Sequence, residues 1–456
     1  MDTDFHFVER FIMNRISKYR IPSLVISIVR NYEIIYTRGF GFRDIENLIP
    51  TNPETLYGVG SVTKSFTALA ILQLVQEGKI ELDDSIKKYV DVGFKFTKGE
   101  ITIHHLLTHS SGIPALAYAE AFIRSSLGLI DYWLPIFSSD DVLSFMGPDV
   151  EDWIYTEPGE RFFYLNEGYV ILGKIISKVS GKPYEKYIRD RILKPLKMNR
   201  SCFLREEVEK LGNWAIPYVI DKDGNIVKSK FPFGVTADGG LISTVLDLSN
   251  YIMMYLGRGR FGGKELLEQQ YIELMEKEHI KEPYEYPDRE YYYGYGWGII
   301  KNFYNLKLIQ HSGSVLVHTA YVGYIPERGL GIAILANPSQ YPLSLMGQYI
   351  LGYLLGENPE DLEFVKRERI LKKLEGRYTT YKKTMSIDIK KSSDFLIATR
   401  KTRLTEQTTI LVPEELREDR AIFYTLSHGA KLRVEFIISE NRVDMIFDRY
   451  RLIKYG

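Results

Sequence analysis

Between Ser65 and Val75 the chain is apolar on nearly every helical face, the pattern of an interior helix, and Gly78 stands where such a helix ends. On either side the periodicity changes. Residues 4–18 predict a first helix, and the runs 24–30 and 34–41, rich in β-branched and aromatic residues, predict a hairpin turning at Asn31-Tyr32. Residues 83–275 read as largely helical, and strands return at 295–301, 306–311, 318–325 and 329–335. Strands at both ends with helices between predict an α+β fold: one antiparallel sheet covered by the terminal helices, with a helical region inserted. The 28 uncharged positions of 329–356 have the length of a membrane span. Asn337, Pro338, Ser339, Gln340 and Pro342 divide them into a strand and a helix over 343–355, so no membrane association is expected.

After Gly356 the pattern shifts again. Asn358-Pro359 supplies a helix cap and first turn, and 360–374 is a charge-rich helix or linker. From Gly376 onward apolar and polar residues alternate in short runs, as in Met385-Ser386-Ile387-Asp388-Ile389 and Leu432-Arg433-Val434-Glu435-Phe436, with further runs at 395–398, 409–412, 421–426, 443–447 and 452–455. Roughly seven or eight strands of this kind predict a small antiparallel barrel. The expected domains are therefore 1–358, a helical linker over 359–375, and a barrel over 376–456. From residue 361 onward 21 Lys and Arg face 15 Asp and Glu, and the rest of the chain carries the matching deficit of 6. Opposite charges favour docking between domains or between subunits.

The chain is long enough for two or more cores, and a net charge of zero argues against nucleic acid as a partner. The lone Cys202 excludes an intramolecular disulfide. Residues 1–6 have neither a basic start nor an apolar core, so no secretory leader is expected and a cytoplasmic location is. Eight Gln, one Cys and many charges hint at a thermophilic source. His104, His105 and His109 suggest zinc ligands at first sight, but no acidic or cysteine partner completes a tetrahedral set nearby, and packing or capping is the better reading. No metal or cofactor is expected. Asp83-Asp84 reads as a helix start. The cluster Tyr284, Tyr286, Tyr291, Tyr292, Tyr293 and Tyr295 reads as a loop or strand surface at the rim of a cleft, and Tyr118 as another rim residue.

The candidate chemistry lies at Gly60-Ser61-Val62-Thr63-Lys64, where the interior helix opens. Residues three apart on a helix share a face about 4.5 Å apart along the axis, so the Lys64 amine can reach the Ser61 hydroxyl. A serine is a weak nucleophile until a base takes its proton, and buried lysine can act as that base. A phosphate-binding loop is the rival reading of Gly58 to Ser65. It fails at Thr63, where that loop needs glycine before the lysine.

Two further motifs follow: Tyr164-Leu165-Asn166 after Pro158-Gly159, and His311-Ser312-Gly313-Ser314 at the end of a strand. Ser-x-x-Lys, then Tyr-x-Asn, then His-Ser-Gly in place of Lys-Thr-Gly, resembles the penicillin-recognising serine hydrolases (peptidase family S12): class C β-lactamases, D-alanyl carboxypeptidases, D-aminopeptidases and related esterases. Leu106 to Pro114, Asp238 to Thr244 and Gly294 to Gly298 resemble that family as well, and the likeness spans about residues 5–356. Within it the chain is most similar to archaeal CubicO-group serine peptidases with a C-terminal lipocalin-like domain. The resemblance implies a β-lactamase-like catalytic fold in which Ser61 forms an acyl-enzyme, with Lys64 and Tyr164 sharing the proton traffic and the choice of base left open. It further implies that Asn166 donates to the substrate amide, that the Ser61 and Ser314 N–H groups hold the oxyanion, that Gly313 admits the substrate backbone, and that His311 orients or polarises Tyr164.

The expected function is a serine peptidase acting on small peptides, with D-amino-acid peptides as candidate substrates and an esterase or β-lactamase-like hydrolase as the alternative. A reading of another class is a non-catalytic binding or scaffold protein using the barrel. The resemblance also implies self-association into a closed, compartment-forming homo-oligomer.

Overall fold

The computed structural model describes residues 4–131, 134–234 and 236–455. The chain forms two compact units, Met1–Leu355 and Gly356–Gly456. In the first, helix α1 (Phe5–Tyr19), capped by the Asp4 carboxylate on the His6 N–H, leads into strands β1 (Ser23–Arg30) and β2 (Glu33–Asp44). Asn31 and Tyr32 both have positive φ (48° and 69°), as the two central residues of a tight hairpin turn with the twist of its strands require. With β3 (Ile49–Pro50) and six later strands they build one antiparallel sheet. The later strands are β4 (Ile280–Glu285), β5 (Glu290–Tyr293), β6 (Gly298–Phe303), β7 (Leu306–Ser314), β8 (Thr319–Ile325) and β9 (Leu330–Ala336). The order is β4-β5-β6-β7-β8-β9-β1-β2-β3, so the first and last strands of this unit in sequence bring its early and late segments together where β9 pairs with β1.

Both faces of the sheet are covered, which is why β1 and β9 are apolar almost throughout. On one face Tyr324 of β8 packs against Tyr255 of the helix Val245–Leu256, ring centroids 5.3 Å apart. On the other, Tyr321 lies so close to Gly347 of the helix Leu343–Leu354 that a Cβ there would sit 2.0 Å from the ring. The interior helix, α2 (Thr63–Gln76), packs on the first of these through Phe66 and Tyr251, stacked at 3.8 Å, and is buried from Thr63 to Leu74. The helical region inserted between β3 and β4 completes the unit. Within it lie small strand pairs that the periodicity did not announce, such as Tyr218–Ile220 with Ile226–Lys228.

Of the tyrosine cluster, read as loop or strand, Tyr284 lies in β4 and Tyr291, Tyr292 and Tyr293 in β5. Two strand boundaries differ from the sequence reading. Residues 294–297 turn before β6 begins, because Gly296, at φ +70°, brings the chain so close to α2 that a Cβ would lie 2.8 Å from the Lys64 carbonyl. Strand β7 continues through Gly313 and Ser314 rather than stopping at His311.

The second unit is a closed barrel of eight antiparallel strands in sequence order, from Gly376–Thr379 to Tyr450–Tyr455. Its inward residues alternate along each strand, as Ile387 and Ile389 do. The charged helix Glu363–Leu374 belongs to this unit. Its Ile370, Leu371 and Leu374 are buried in one cluster with Tyr378, Leu396 and Phe436, so the segment expected as a linker is part of the barrel's core. Among the described residues no helix is long and apolar enough to cross a membrane.

Candidate active site

Ser61 sits in the short 3-10 turn Gly60–Val62 that opens onto α2, and Lys64 points back to it from the first turn of the helix. The Lys64 Nζ lies 3.1 Å from Ser61 Oγ, 2.7 Å from Asn166 Oδ1 and 2.8 Å from the Asp238 carbonyl oxygen. The lysine is fully buried. Its three contacts fill the tetrahedral positions of the amine, and the serine oxygen is one of them.

The end of β7 presses directly on this turn. A Cβ at Gly313 would stand 1.9 Å from the Val59 carbonyl oxygen and 2.9 Å from the Ser61 nitrogen, and one at Gly60, which holds φ +53°, would stand 2.5 Å from the Ser314 nitrogen. Two bare glycines therefore let strand and turn meet backbone to backbone. The Ser61 N–H, in the first turn of a helix, has no intrahelical acceptor. The expected pair of donors, Ser61 N–H and Ser314 N–H, is brought into one small region.

Tyr164 and Asn166 arrive together, since Asn166 is the first residue of the helix Asn166–Ser180 and Tyr164 stands just before it. The Lys64 Nζ lies 4.8 Å from the centre of the Tyr164 ring. His109 holds this entry in place. Its Nδ1 accepts the Leu165 N–H at 3.0 Å, and its ring lies 4.2 Å from that of Tyr164. Its other ring nitrogen must then carry the proton, and it is buried without a hydrogen-bond partner among the described residues. Burial first, and then the Lys64 charge, hold His109 well below the ordinary histidine range, so it is neutral.

His311 lines the site but does not engage Tyr164 as expected. Its Nδ1 lies 2.6 Å from the Ser312 carbonyl oxygen, which can only accept, so Nδ1 carries the proton and Nε2 accepts from the Tyr293 hydroxyl at 3.0 Å. Both nitrogens are thus used elsewhere, and the ring centre of Tyr164 is 6.4 Å away. Burial, with the Lys64 charge behind it, lowers His311 to about 4. Near neutrality it offers no positive charge where the related motif has lysine.

Two cavities open on Ser61. One, of about 270 Å³, also touches Asn166 and has an apolar wall that includes Phe122, Phe203, Phe231, Phe233 and Val315. The other, of about 570 Å³, shares Ser61, Tyr164 and Ser314 with it and runs along β4 to β7. Tyr118, read as a rim residue, is buried and lines the first, and Tyr284, Tyr286, Tyr291 and Tyr293 line the second. The sequence reading gave Asp238 no role of its own. Its carbonyl takes a Lys64 hydrogen, and its buried carboxyl is raised by burial against the pull of the Lys64 charge and the Tyr118 hydroxyl. The other two histidines serve locally: His105 Nδ1 accepts the Thr102 N–H at a helix start, and His104 Nδ1 lies 2.8 Å from the Tyr295 hydroxyl. Among the described residues no group of His, Cys, Asp and Glu side chains is arranged to hold a metal.

Both units resemble known proteins. Residues 359–453 match the family model of the Pab87 octamerisation domain. A solved structure described as the octameric penicillin-binding protein homologue from Pyrococcus abyssi is 49% identical, covers 99% of this chain and 100% of its own, and superposes with a TM-score of 0.94. A D-stereospecific amidohydrolase from Streptomyces, 23% identical over 77% of this chain and 99% of its own (TM-score 0.61), shares the fold. Protein flp of Staphylococcus aureus strain MW2 is 30% identical over 72% of this chain, a match spanning 62% of that protein's length. The model of the Beta-lactamase family matches from residue 8 to residue 347, a span that takes in every group hydrogen-bonded to the Lys64 amine, and the chain belongs to that family.

Proposed function

We propose that the protein is a serine peptidase that cleaves peptide or amide bonds of small peptides through an acyl-enzyme on Ser61. The observation that carries the reading is the buried Lys64 amine, 3.1 Å from Ser61 Oγ with its other contacts on two carbonyl oxygens. A neutral amine that donates to those two carbonyls has its lone pair facing the serine, and takes the Ser61 proton as the oxygen attacks. Tyr164 then delivers a proton to the leaving amine. The Ser61 and Ser314 N–H groups stabilise the oxyanion, and Asn166, through its amide nitrogen, meets the substrate amide. Water hydrolyses the acyl-enzyme by the reverse proton path. The apolar wall of the 270 Å³ cavity suits an apolar side chain beside the scissile carbonyl.

The barrel's part in this reading is assembly. Its match to an octamerisation domain, and the octameric description of the Pyrococcus abyssi homologue, support self-association of this chain into a closed octamer that limits access to its active sites. The test of the chemistry is intact-mass spectrometry after exposure to a fluorophosphonate, run beside Ser61→Ala, and then a panel of amino-acid amides, L- and D-peptides and esters. One adduct on the wild type alone, with amide turnover, is the expected result. Turnover of esters without amides would replace the peptidase by an esterase, and absence of an adduct would remove the nucleophile.

A further inference from the structure

The larger cavity contains one feature that acyl transfer does not use. Glu282, on β4, is the only Asp, Glu, Lys or Arg among its lining residues, and Ser61 lines the same cavity. Among the described residues the Glu282 carboxylate has no ion pair, and the preceding residue, Lys281, is paired instead with Glu290 at 3.5 Å. Gly298 of β6, two strands away in the sheet, faces it: a Cβ there would lie 3.5 Å from Glu282 Oε1, an ordinary contact distance. Tyrosine rings line the same cavity, with Tyr286 and Tyr291 at 4.8 Å and Tyr284 and Tyr291 at 6.1 Å.

A carboxylate without a counter-ion, set among aromatic faces in a cleft, has the chemistry of an ammonium site. The carboxylate supplies a charge-assisted hydrogen bond and the rings supply cation–π attraction. Burial alone pushes the Glu282 carboxyl up to about 7, because no cation of the protein offsets it. A bound ammonium would supply that missing charge.

We propose that the Glu282 cavity is the subsite for a protonated amine of the substrate, so that peptides bearing a free α-amine or a lysine-type side chain near the scissile bond are selected. The inference rests on the peptidase reading for its meaning, but its test does not need turnover. Binding is measured by calorimetry on the full-length Ser61→Ala protein, with and without Glu282→Gln. The ligands are alanine amide against its Nα-acetyl derivative, and Nα-acetyl-lysine amide against Nα-acetyl-norleucine amide. The amine of at least one pair is expected to bind about tenfold tighter than its neutral partner, and Glu282→Gln to erase that margin while leaving the neutral ligand's affinity unchanged. The pair that shows the margin identifies the amine as terminal or side-chain. Equal affinities within both pairs, no measurable binding of either amine, a margin that survives Glu282→Gln, or an equal loss for neutral and charged ligands would each overturn the subsite. The peptidase reading fails on a different result, the absence of a fluorophosphonate adduct on wild type.

Discussion

Replacing Gly313 by alanine tests the oxyanion arrangement more sharply than replacing the nucleophile. The added Cβ would meet the Val59 carbonyl oxygen at 1.9 Å. Ordinary contact between carbon and oxygen begins at about 3.3 Å, so β7 and the Ser61 turn must part by roughly 1.4 Å. Hydrogen bonds do not survive a displacement of that size, and the strand's N–H of Ser314 would no longer converge with that of Ser61 on one oxygen. Loss of one such donor slows acyl transfer by about 10²–10³. The overpacking itself costs about 1–3 kcal/mol of stability, too little to unfold a unit with a core of this size. The assay is the second-order rate of fluorophosphonate labelling, followed by intact mass, beside a thermal melt. Gly168→Ala is the control: it lies in the helix that begins at Asn166, its Cβ would find nothing nearer than 3.4 Å, and alanine there should stabilise by up to about 1 kcal/mol with labelling unchanged. Labelling of Gly313→Ala within about threefold of wild type, in a folded protein, would refute the reasoning.

Three further outcomes are expected. Lys64→Ala and Tyr164→Phe should each slow labelling by about 10²–10⁴, read by the same mass shift over time, whereas Ser61→Ala should take no label. His318 should make the fold acid-labile, because it is buried, its Nδ1 accepts the Gly58 N–H at 3.0 Å, and burial lowers it to about 3. Unfolded histidine titrates near 6.5, so below that pH the unfolded chain binds a proton that the fold refuses, and stability is complete above about 6.5 and falls as the pH drops toward 3. From pH 7 to 4.5 the wild type should lose roughly 2–3 kcal/mol more than His318→Gln in urea melts, and equal losses would remove the explanation. Ending the chain after Leu355 should reduce the assembly seen by light scattering while Ser61 labels within about threefold of the full-length rate, and an unchanged oligomer would take assembly away from the barrel.

Local spacing made part of this site legible. Ser61 and Lys64 are three apart, and an apolar run on every face announces a buried helix, so their meeting follows from helix geometry alone. The barrel was legible for the same reason, since alternation of period two survives in each short strand. What stayed hidden depends on contacts across the chain. The Asp238 carbonyl that takes a Lys64 hydrogen is backbone and leaves no mark on residue type. His311 finds Tyr293 because Tyr293 pairs with Gly298 and Gly298 with Gln310, a register that no one strand's pattern specifies. His109 was read for packing or capping, and it does pack. Its bond to the Leu165 N–H, across 56 positions of sequence, could be read only once the fold was known.

The same contacts explain why so buried a lysine is tolerable at all. A lone ammonium in a dry interior is costly, and the usual remedy is a paired carboxylate. Here two carbonyl oxygens, on Asn166 and Asp238, stand where a paired carboxylate would be. Carbonyls satisfy two of the nitrogen's hydrogens in either protonation state, whereas a carboxylate in contact would favour the charged form and withhold the lone pair. The third direction is left to Ser61, which can accept from an ammonium or donate to an amine at the same 3.1 Å. A proton can therefore move between serine and lysine without any side chain turning. The two neighbouring histidines, held neutral chiefly by burial, add no second cation beside the lysine. Under the proposed acyl-enzyme reading, this preorganisation serves the transfer of the Ser61 proton.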